Sequence, residues 1–139
     1  RLRGWRHLGR ELDQIRDEVR AADGIDPVMA AGNWSTTGQI GFYCAGHPPV
    51  YSFGPYFGDR YSQYDLWRPN PVADRSAFQG RTFLVVQGHE ATLRQAFKQV
   101  DEARQIIYRE DGVAVAAWVV FICRDYRGID MQSNRTRTY

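Results

Sequence analysis

Residues Glu110 to Arg124, which read EDGVAVAAWVVFICR, give the strongest indication of the fold of this chain. Its Asp-Gly pair is typical of a two-residue hairpin turn, so it predicts antiparallel pairing of residues 104–109 with 113–124. From Val113 onward both alternating sets of side chains are apolar. A strand that is apolar on both faces needs a packed layer above and below the sheet.

Apolar periodicity further upstream predicts those covering layers. An amphipathic helix is predicted over about residues 4–22 and ends at the stop signal Asp23-Gly24, because apolar residues recur there at steps of three and four: Trp5, Leu8, Leu12, Ile15 and Val19. A second, shorter helix is predicted to follow the capping cluster Asn33–Thr37, and a third to run from His89 to Glu102.

Three short apolar runs, at 27–31, 50–53 and 82–86, predict buried strands. Residues 54–81 predict at most one turn of helix, near Ser62 to Trp67. The resulting order predicts an α/β fold: a three-layer sandwich with a mixed sheet of about five strands, parallel at first and ending in the antiparallel hairpin, with helices on both faces. We expect one domain over residues 1–125 and a polar, frayed tail over 126–139.

Composition excludes several classes of protein. The chain has 139 residues, of which 43% are hydrophobic, so it suits one globular domain rather than a disordered chain. A net charge of +2 gives no ground for a nucleic-acid partner or a membrane surface. No apolar run reaches the roughly 18 to 20 residues that span a bilayer. Because the chain opens on Arg1, we expect it to be a piece of a longer protein.

The turn from Gly32 to Thr37 is the first candidate site. A strand is predicted to run into a glycine and then into a helix start, which would aim backbone N–H groups at a phosphate or a sugar hydroxyl. Its candidate ligand-binding residues are Asn33, Ser35, Thr36 and Thr37. The competing interpretation is that Ser35, Thr36 or Thr37 simply caps the helix, which is the commonest use of such residues.

An aromatic segment between residues 51 and 67 is the second candidate, with Tyr64 and Trp67 as its candidate contact residues. Exposed rings interleaved with carboxylates and arginines suit a carbohydrate, whose C–H faces stack on rings. The alternative, which we weigh more heavily, is a long loop that packs down on its own aromatic side chains.

Other reactive side chains give little signal. The three histidines stand apart from any partner at metal-ligand spacing, and no nucleophile–base arrangement emerges from the order of residues. Cys44 and Cys123 both lie in apolar surroundings, which favours small buried side chains over nucleophiles or a disulfide. We therefore expect neither a metal nor another cofactor.

Four segments, taken in order, resemble a known family: Gly4-Trp5 with Leu8-Gly9, Ile40-Gly41-Phe42-Tyr43, Tyr61-Ser62-Gln63-Tyr64-Asp65-Leu66-Trp67 and Phe83-Leu84-Val85-Val86. Together, over roughly residues 4–125, they resemble the soluble C-terminal domain of bacterial multi-spanning glycosyltransferases of the protein-mannosyltransferase and aminoarabinose-transferase superfamily. In that family the sugar comes from a polyprenyl-phosphate carrier, and the catalytic carboxylates lie in the membrane portion.

The resemblance implies a non-catalytic accessory or acceptor-recognition domain at the extracytoplasmic, periplasmic face of the bacterial inner membrane. Its expected partners are the transmembrane portion of the same polypeptide and a glycan or lipid-linked sugar, with no nucleic acid. Two other interpretations stay open. One is a small phosphate- or nucleotide-binding α/β domain that uses the Gly32–Thr37 turn, and the other is a structural module with an exposed apolar patch.

Overall fold

The computed structural model describes residues 3–54 and 68–129 as an α/β sandwich. Its four helices are α1 (Trp5–Asp23), α2 (Trp34–Tyr43), α3 (Arg75–Phe78) and α4 (Glu90–Ala96). Its six strands are β1 (Val28–Ala31), β2 (Val50–Ser52), β3 (Phe83–Val86), β4 (Phe97–Val100), β5 (Arg104–Glu110) and β6 (Val113–Tyr126). The predicted α/β class, the mixed sheet and the helices on both faces are confirmed.

One mixed sheet holds all six strands. Strands β2, β1 and β3 are parallel neighbours in that order, and β6 runs antiparallel beside β3. The other edge of β6 pairs with β5 along its first half and with β4 at its end. The turn between β5 and β6 is Asp111-Gly112, as the Asp-Gly pair predicts.

Alternating side chains of the strands build a separate core on each face of this sheet. The first core joins α1 and α2 to one face, for example through Leu12, Ile40 and Leu84. The second core joins α3 and α4 to the opposite face, for example through Leu93 and Phe83. The sheet is thus the middle of three layers, as a strand with two apolar faces requires.

The third predicted helix is half as long as the periodicity indicates. It ends at Ala96, and the next four residues form β4, which pairs antiparallel with the end of β6. The spacing of Leu93, Phe97 and Val100 fits a helix, but the ring of Phe97 packs 5.1 Å from the rings of both Phe83 and Tyr126. Aromatic packing and the vacant edge of β6 therefore override the helical spacing.

Strand β6 is buried on both faces only where β3 lies beside it. Residues 120–123 are buried, as predicted, but Val113 is 65% exposed and Val115 is 40% exposed. This first half of β6 extends past the end of β3, and only its other face is covered, where Trp118 packs against Trp5 at a ring distance of 5.5 Å. The expectation of cover on both faces thus fails for residues 113–117, of which only Ala116 is buried.

Residues 126–129 belong to the folded domain, although the tail is expected to begin at residue 126. Tyr126 closes β6, is 0% exposed, and donates a hydrogen bond from its hydroxyl to the carbonyl of Pro71 at 2.7 Å. Ile129 is buried in the second core. The ring of Tyr126 packs 4.9 Å from the ring of Phe83, and the polar sequence around both residues conceals their burial. The helical turn expected near residues 62–67 lies outside the described residues.

Candidate functional site

The connections that leave β1 and β3 diverge to opposite faces of the sheet. After β1 the chain enters α2, which packs in the first core, and after β3 it enters α4, which packs in the second core. Because β1 and β3 are adjacent parallel strands, a crevice opens between the two connections at their carboxyl ends. Such a topological switch point is where open α/β sheets bind ligands.

A cleft of about 430 Å³ occupies this switch point. We call it the switch-point cleft; the residues that line it are Gly32, Asn33, Gln87, Gly88, His89, Val119 and Phe121. Gly32 and Asn33 follow β1 directly, and the Gln-Gly-His run follows β3. The apolar wall comes from β6, the next strand in the sheet. The cleft thus combines amide and imidazole groups with a strip of apolar surface.

Asn33 is held in the cleft by its role at the start of α2. Its side-chain oxygen accepts hydrogen bonds from the backbone N–H of Thr36 at 2.8 Å and from the hydroxyl of Ser35 at 3.0 Å. The hydroxyl of Thr37 donates to the Asn33 carbonyl at 2.8 Å. The side-chain oxygen of Asn33 is thus engaged within the protein, and the amide nitrogen is the remaining hydrogen-bonding group of this side chain.

The first turn of α2 contains the three hydroxyl residues of the predicted turn, Ser35, Thr36 and Thr37. Thr36 and Thr37 are buried, and Ser35 is exposed at the surface. Of the four candidates in this turn, the structure brings only Asn33 into the lining of the cleft. The capping alternative names the wrong residue, because the N-cap of α2 is Asn33 and not one of the three hydroxyl residues.

Gln87 lies in the wall of the switch-point cleft opposite Asn33 and is held there by hydrogen bonds to Val119. Its backbone lies in the left-handed region, with φ of 62°, immediately after the last residue of β3. Its backbone N–H donates to the carbonyl of Val119 at 2.8 Å, and its side-chain oxygen accepts from the N–H of Val119 at 2.9 Å. A non-glycine residue held in this conformation stores strain, which is a common feature of functional sites.

The residues predicted from the sequence form only one wall of this cleft, the wall that contains Asn33. The sequence pattern does not mark Gln87, Gly88 or His89 as site residues, although they follow the apolar run at 82–86. A polar run at the carboxyl end of a predicted parallel strand is the signal that finds them. The aromatic candidates Tyr64 and Trp67 lie outside the described residues.

The two thiols lie away from the cleft, and both are buried. Cys44 packs in the first core and Cys123 in the second, on opposite faces of the sheet, and both are free. Burial raises the pKa of each thiol to about 12, and a nearby carboxylate adds to the effect, Asp13 for Cys44 and Asp101 for Cys123. Both thiols therefore stay protonated, as small buried side chains.

Two further findings concern the whole described part of the chain. Across residues 3–54 and 68–129, no three histidine, cysteine or carboxylate side chains group closely enough to hold a metal ion. In the same residues, none of the helices combines the length and the apolar character needed to cross a bilayer. No protein-family model, curated protein or solved structure matches this chain.

Proposed function

We propose that this chain is a non-catalytic acceptor-recognition domain of a membrane glycosyltransferase that takes its sugar from a polyprenyl-phosphate carrier, and that it holds a sugar of the acceptor in the switch-point cleft. The observation that carries the proposal is the cleft itself, a polar crevice at the carboxyl ends of β1 and β3. The resemblance of residues 4–125 to the soluble domains of such enzymes supports the choice of enzyme class.

The chemistry of the cleft matches a neutral sugar. The side-chain amides of Asn33 and Gln87 carry N–H groups that can donate hydrogen bonds to sugar hydroxyls, and His89 lines the cleft beside them. Val119 and Phe121 supply an apolar surface for the C–H face of a ring. A few placed polar groups beside apolar walls are typical of small-molecule sites, and a volume of about 430 Å³ suits one or two sugar rings.

On this proposal the domain binds the acceptor, and the rest of the enzyme catalyses the sugar transfer. The domain would lie at the periplasmic face of a bacterial inner membrane, tethered by the transmembrane portion of the same polypeptide. Its part in the reaction is to raise the local concentration of the acceptor and to orient it, which lowers the entropic cost of the transfer step.

A second candidate function is a small phosphate- or nucleotide-binding domain. The position of the cleft favours it, because phosphate groups commonly bind at the carboxyl ends of parallel strands, beside a helix start. Two features weigh against it. The side chain of Asn33 already occupies the N–H of Thr36, and the described lining residues include neither an arginine nor a lysine.

An NMR titration of the ¹⁵N-labelled chain distinguishes the two functions. Neutral mono- and disaccharides should shift the amide signals of Gly32, Gly88 and His89, with a Kd of about 1 mM, which corresponds to about −4 kcal/mol. Phosphate and nucleotides should leave these signals in place. If nucleotides shift them and sugars do not, the second candidate is correct; if neither does, the cleft is not a site for either class.

Asn33→Asp provides the matched variant for this titration. Aspartate keeps the acceptor that caps α2 but removes the amide donor and adds a negative charge. Sugar binding should weaken severalfold, because one hydrogen bond is lost. The control is Arg94→Gln, an exposed change on α4 outside the cleft, which should leave sugar binding unchanged.

A further inference from the structure

A second cavity, of about 390 Å³, lies at the start of α1 and shares no residue with the switch-point cleft. We call it the arginine cavity, because Arg3, Arg6 and Arg10 line it together with the rings of Trp5, Tyr43 and Tyr108. His7 and Gly4 complete the lining. The proposed recognition of an acceptor uses none of these side chains.

The charge of the arginine cavity is unbalanced. The carboxylate of Glu110 forms a 2.7 Å ion pair with Arg3 and accepts a 2.9 Å hydrogen bond from the hydroxyl of Tyr108. Arg6 and Arg10 are exposed, stand one helical turn apart, and take part in none of the ion pairs formed among the described residues. The first turn of α1 contains no acidic residue. Within residues 3–54 and 68–129, the guanidinium groups of Arg6 and Arg10 therefore have no carboxylate partner.

Two glycines let the aromatic walls approach the arginines. A Cβ atom on Gly4, whose φ is 91°, would lie 2.5 Å from Cγ of Tyr108. A Cβ atom on Gly9 would lie 2.6 Å from the backbone oxygen of Tyr43. A side chain at Gly4 would displace the Tyr108 ring, and one at Gly9 would displace the backbone of α2 at Tyr43. The shape of the cavity therefore depends on glycine at both positions. The same two glycines belong to the Gly4-Trp5 and Leu8-Gly9 segments. The proposed function assigns no role to the side of the molecule on which these segments lie.

We propose that the arginine cavity binds a phosphate or diphosphate group. Guanidinium groups match phosphate oxygens with paired hydrogen bonds, and two uncompensated positive charges match the charge of such a group. The rings of Trp5, Tyr43 and Tyr108 would contact the organic moiety that carries it. The same chemistry is offered by a soluble phosphate ester and by a phospholipid headgroup, and the experiment separates these two sources.

Isothermal titration of the full chain with inorganic pyrophosphate is the first arm, and sedimentation with vesicles of phosphatidylcholine containing phosphatidic acid is the second. The test variant is Arg6→Gln with Arg10→Gln, in which two exposed cations become neutral. It should weaken binding about tenfold or more. The matched control is Lys98→Gln with Arg127→Gln, which removes the same charge at two exposed positions outside the cavity. It should change binding by no more than about twofold.

Each outcome decides the question. Binding of pyrophosphate that fails in the test variant and persists in the control supports a soluble phosphate ligand. Binding to phosphatidic acid vesicles alone, with the same dependence on the arginines, supports a lipid headgroup. The proposal is overturned if wild type binds neither probe, or if the test and control variants lose binding equally.

A second measurement covers a test variant that does not fold. Pyrophosphate added to the wild-type chain should shift the NMR signals of the His7 ring and the Trp5 indole, and should leave those of Gly32 and Gly88 in place. Shifts spread over all exposed arginines would also overturn the proposal. Because the two sites share no residue, failure here leaves the proposed sugar recognition untouched, and failure of sugar binding leaves this site untouched.

Discussion

The side chain of Asn33 connects the stability of α2 with the chemistry of the switch-point cleft. Asn33→Ala removes the acceptor for the N–H of Thr36 and should lower the free energy of unfolding by about 1 kcal/mol. Asn33→Asp keeps an acceptor and should recover most of that loss. Urea unfolding followed by circular dichroism measures both changes. If alanine costs no more than aspartate, the cap does not stabilise the helix.

The buried thiols of Cys44 and Cys123 make stability depend on high pH. Each thiol has a pKa of about 12 when folded, against an ordinary value of 9.0, because burial disfavours the thiolate. The contribution to stability is therefore complete below pH 9 and declines as pH rises from 9 toward 12. We expect the urea midpoint to fall over this interval more steeply than in the double variant Cys44→Ala with Cys123→Ala.

The same thiols give a direct chemical readout. In the folded protein at pH 8 neither thiol should react with a disulfide reagent over minutes, and both should react at once in denaturant. Rapid reaction of one equivalent under native conditions would show that one of the two cysteines is accessible, and would remove it from the explanation of the pH dependence.

Sequence patterns predict those helices and strands whose determining interactions lie within the element itself. Helix α1 follows from its apolar stripe, and the hairpin follows from Asp111-Gly112, because in each case the signal lies within the element itself. Strand β4 could not be predicted in this way. Its residues carry helical spacing, and only the edge of β6, some 25 residues further along the chain, makes the extended conformation favourable.

The same distinction between local and long-range determinants applies to the residues of the candidate site. The capping cluster that contains Asn33 is visible in the sequence, because capping is local. The wall formed by Gln87 and His89 comes from a different connection, and its place opposite Asn33 depends on β1 and β3 being neighbours. The arginine cavity likewise joins α1 to Tyr43 and Tyr108, which belong to two distant elements. The sequence shows its arginines but not the walls around them.

The hairpin turn supplies a prediction about one element. Asp111 and Gly112 both have positive φ, of 51° and 80°, which is the conformation of a two-residue turn of type I′. Gly112→Ala should therefore lower the free energy of unfolding by about 1–2 kcal/mol, since alanine is strained in this region. Asp111→Asn should be nearly neutral, because asparagine tolerates it. Thermal unfolding of both variants tests this; equal Tm values would contradict the assigned turn.

At the scale of the whole molecule, one sheet carries two cores and two candidate sites. The switch-point cleft opens at the carboxyl ends of β1 and β3, and the arginine cavity lies against β5 at the start of α1. The cleft is lined by amide and imidazole groups, and the cavity by guanidinium groups. A single chain could therefore hold a neutral ring and an anionic group at once, in separate places.

The shared sheet also predicts that the two cores unfold together. Leu93 is fully buried in the second core, so Leu93→Ala should lower the free energy of unfolding by about 2–5 kcal/mol. Because both cores pack on the same strands, the amides of α1, on the opposite face, should lose the same protection from hydrogen exchange. Gln95→Ala, an exposed change on the same helix, should stay within about 0.5 kcal/mol of wild type. If the amides near Leu12 keep wild-type protection in Leu93→Ala, the layer of α4 opens on its own and the domain is not one cooperative unit.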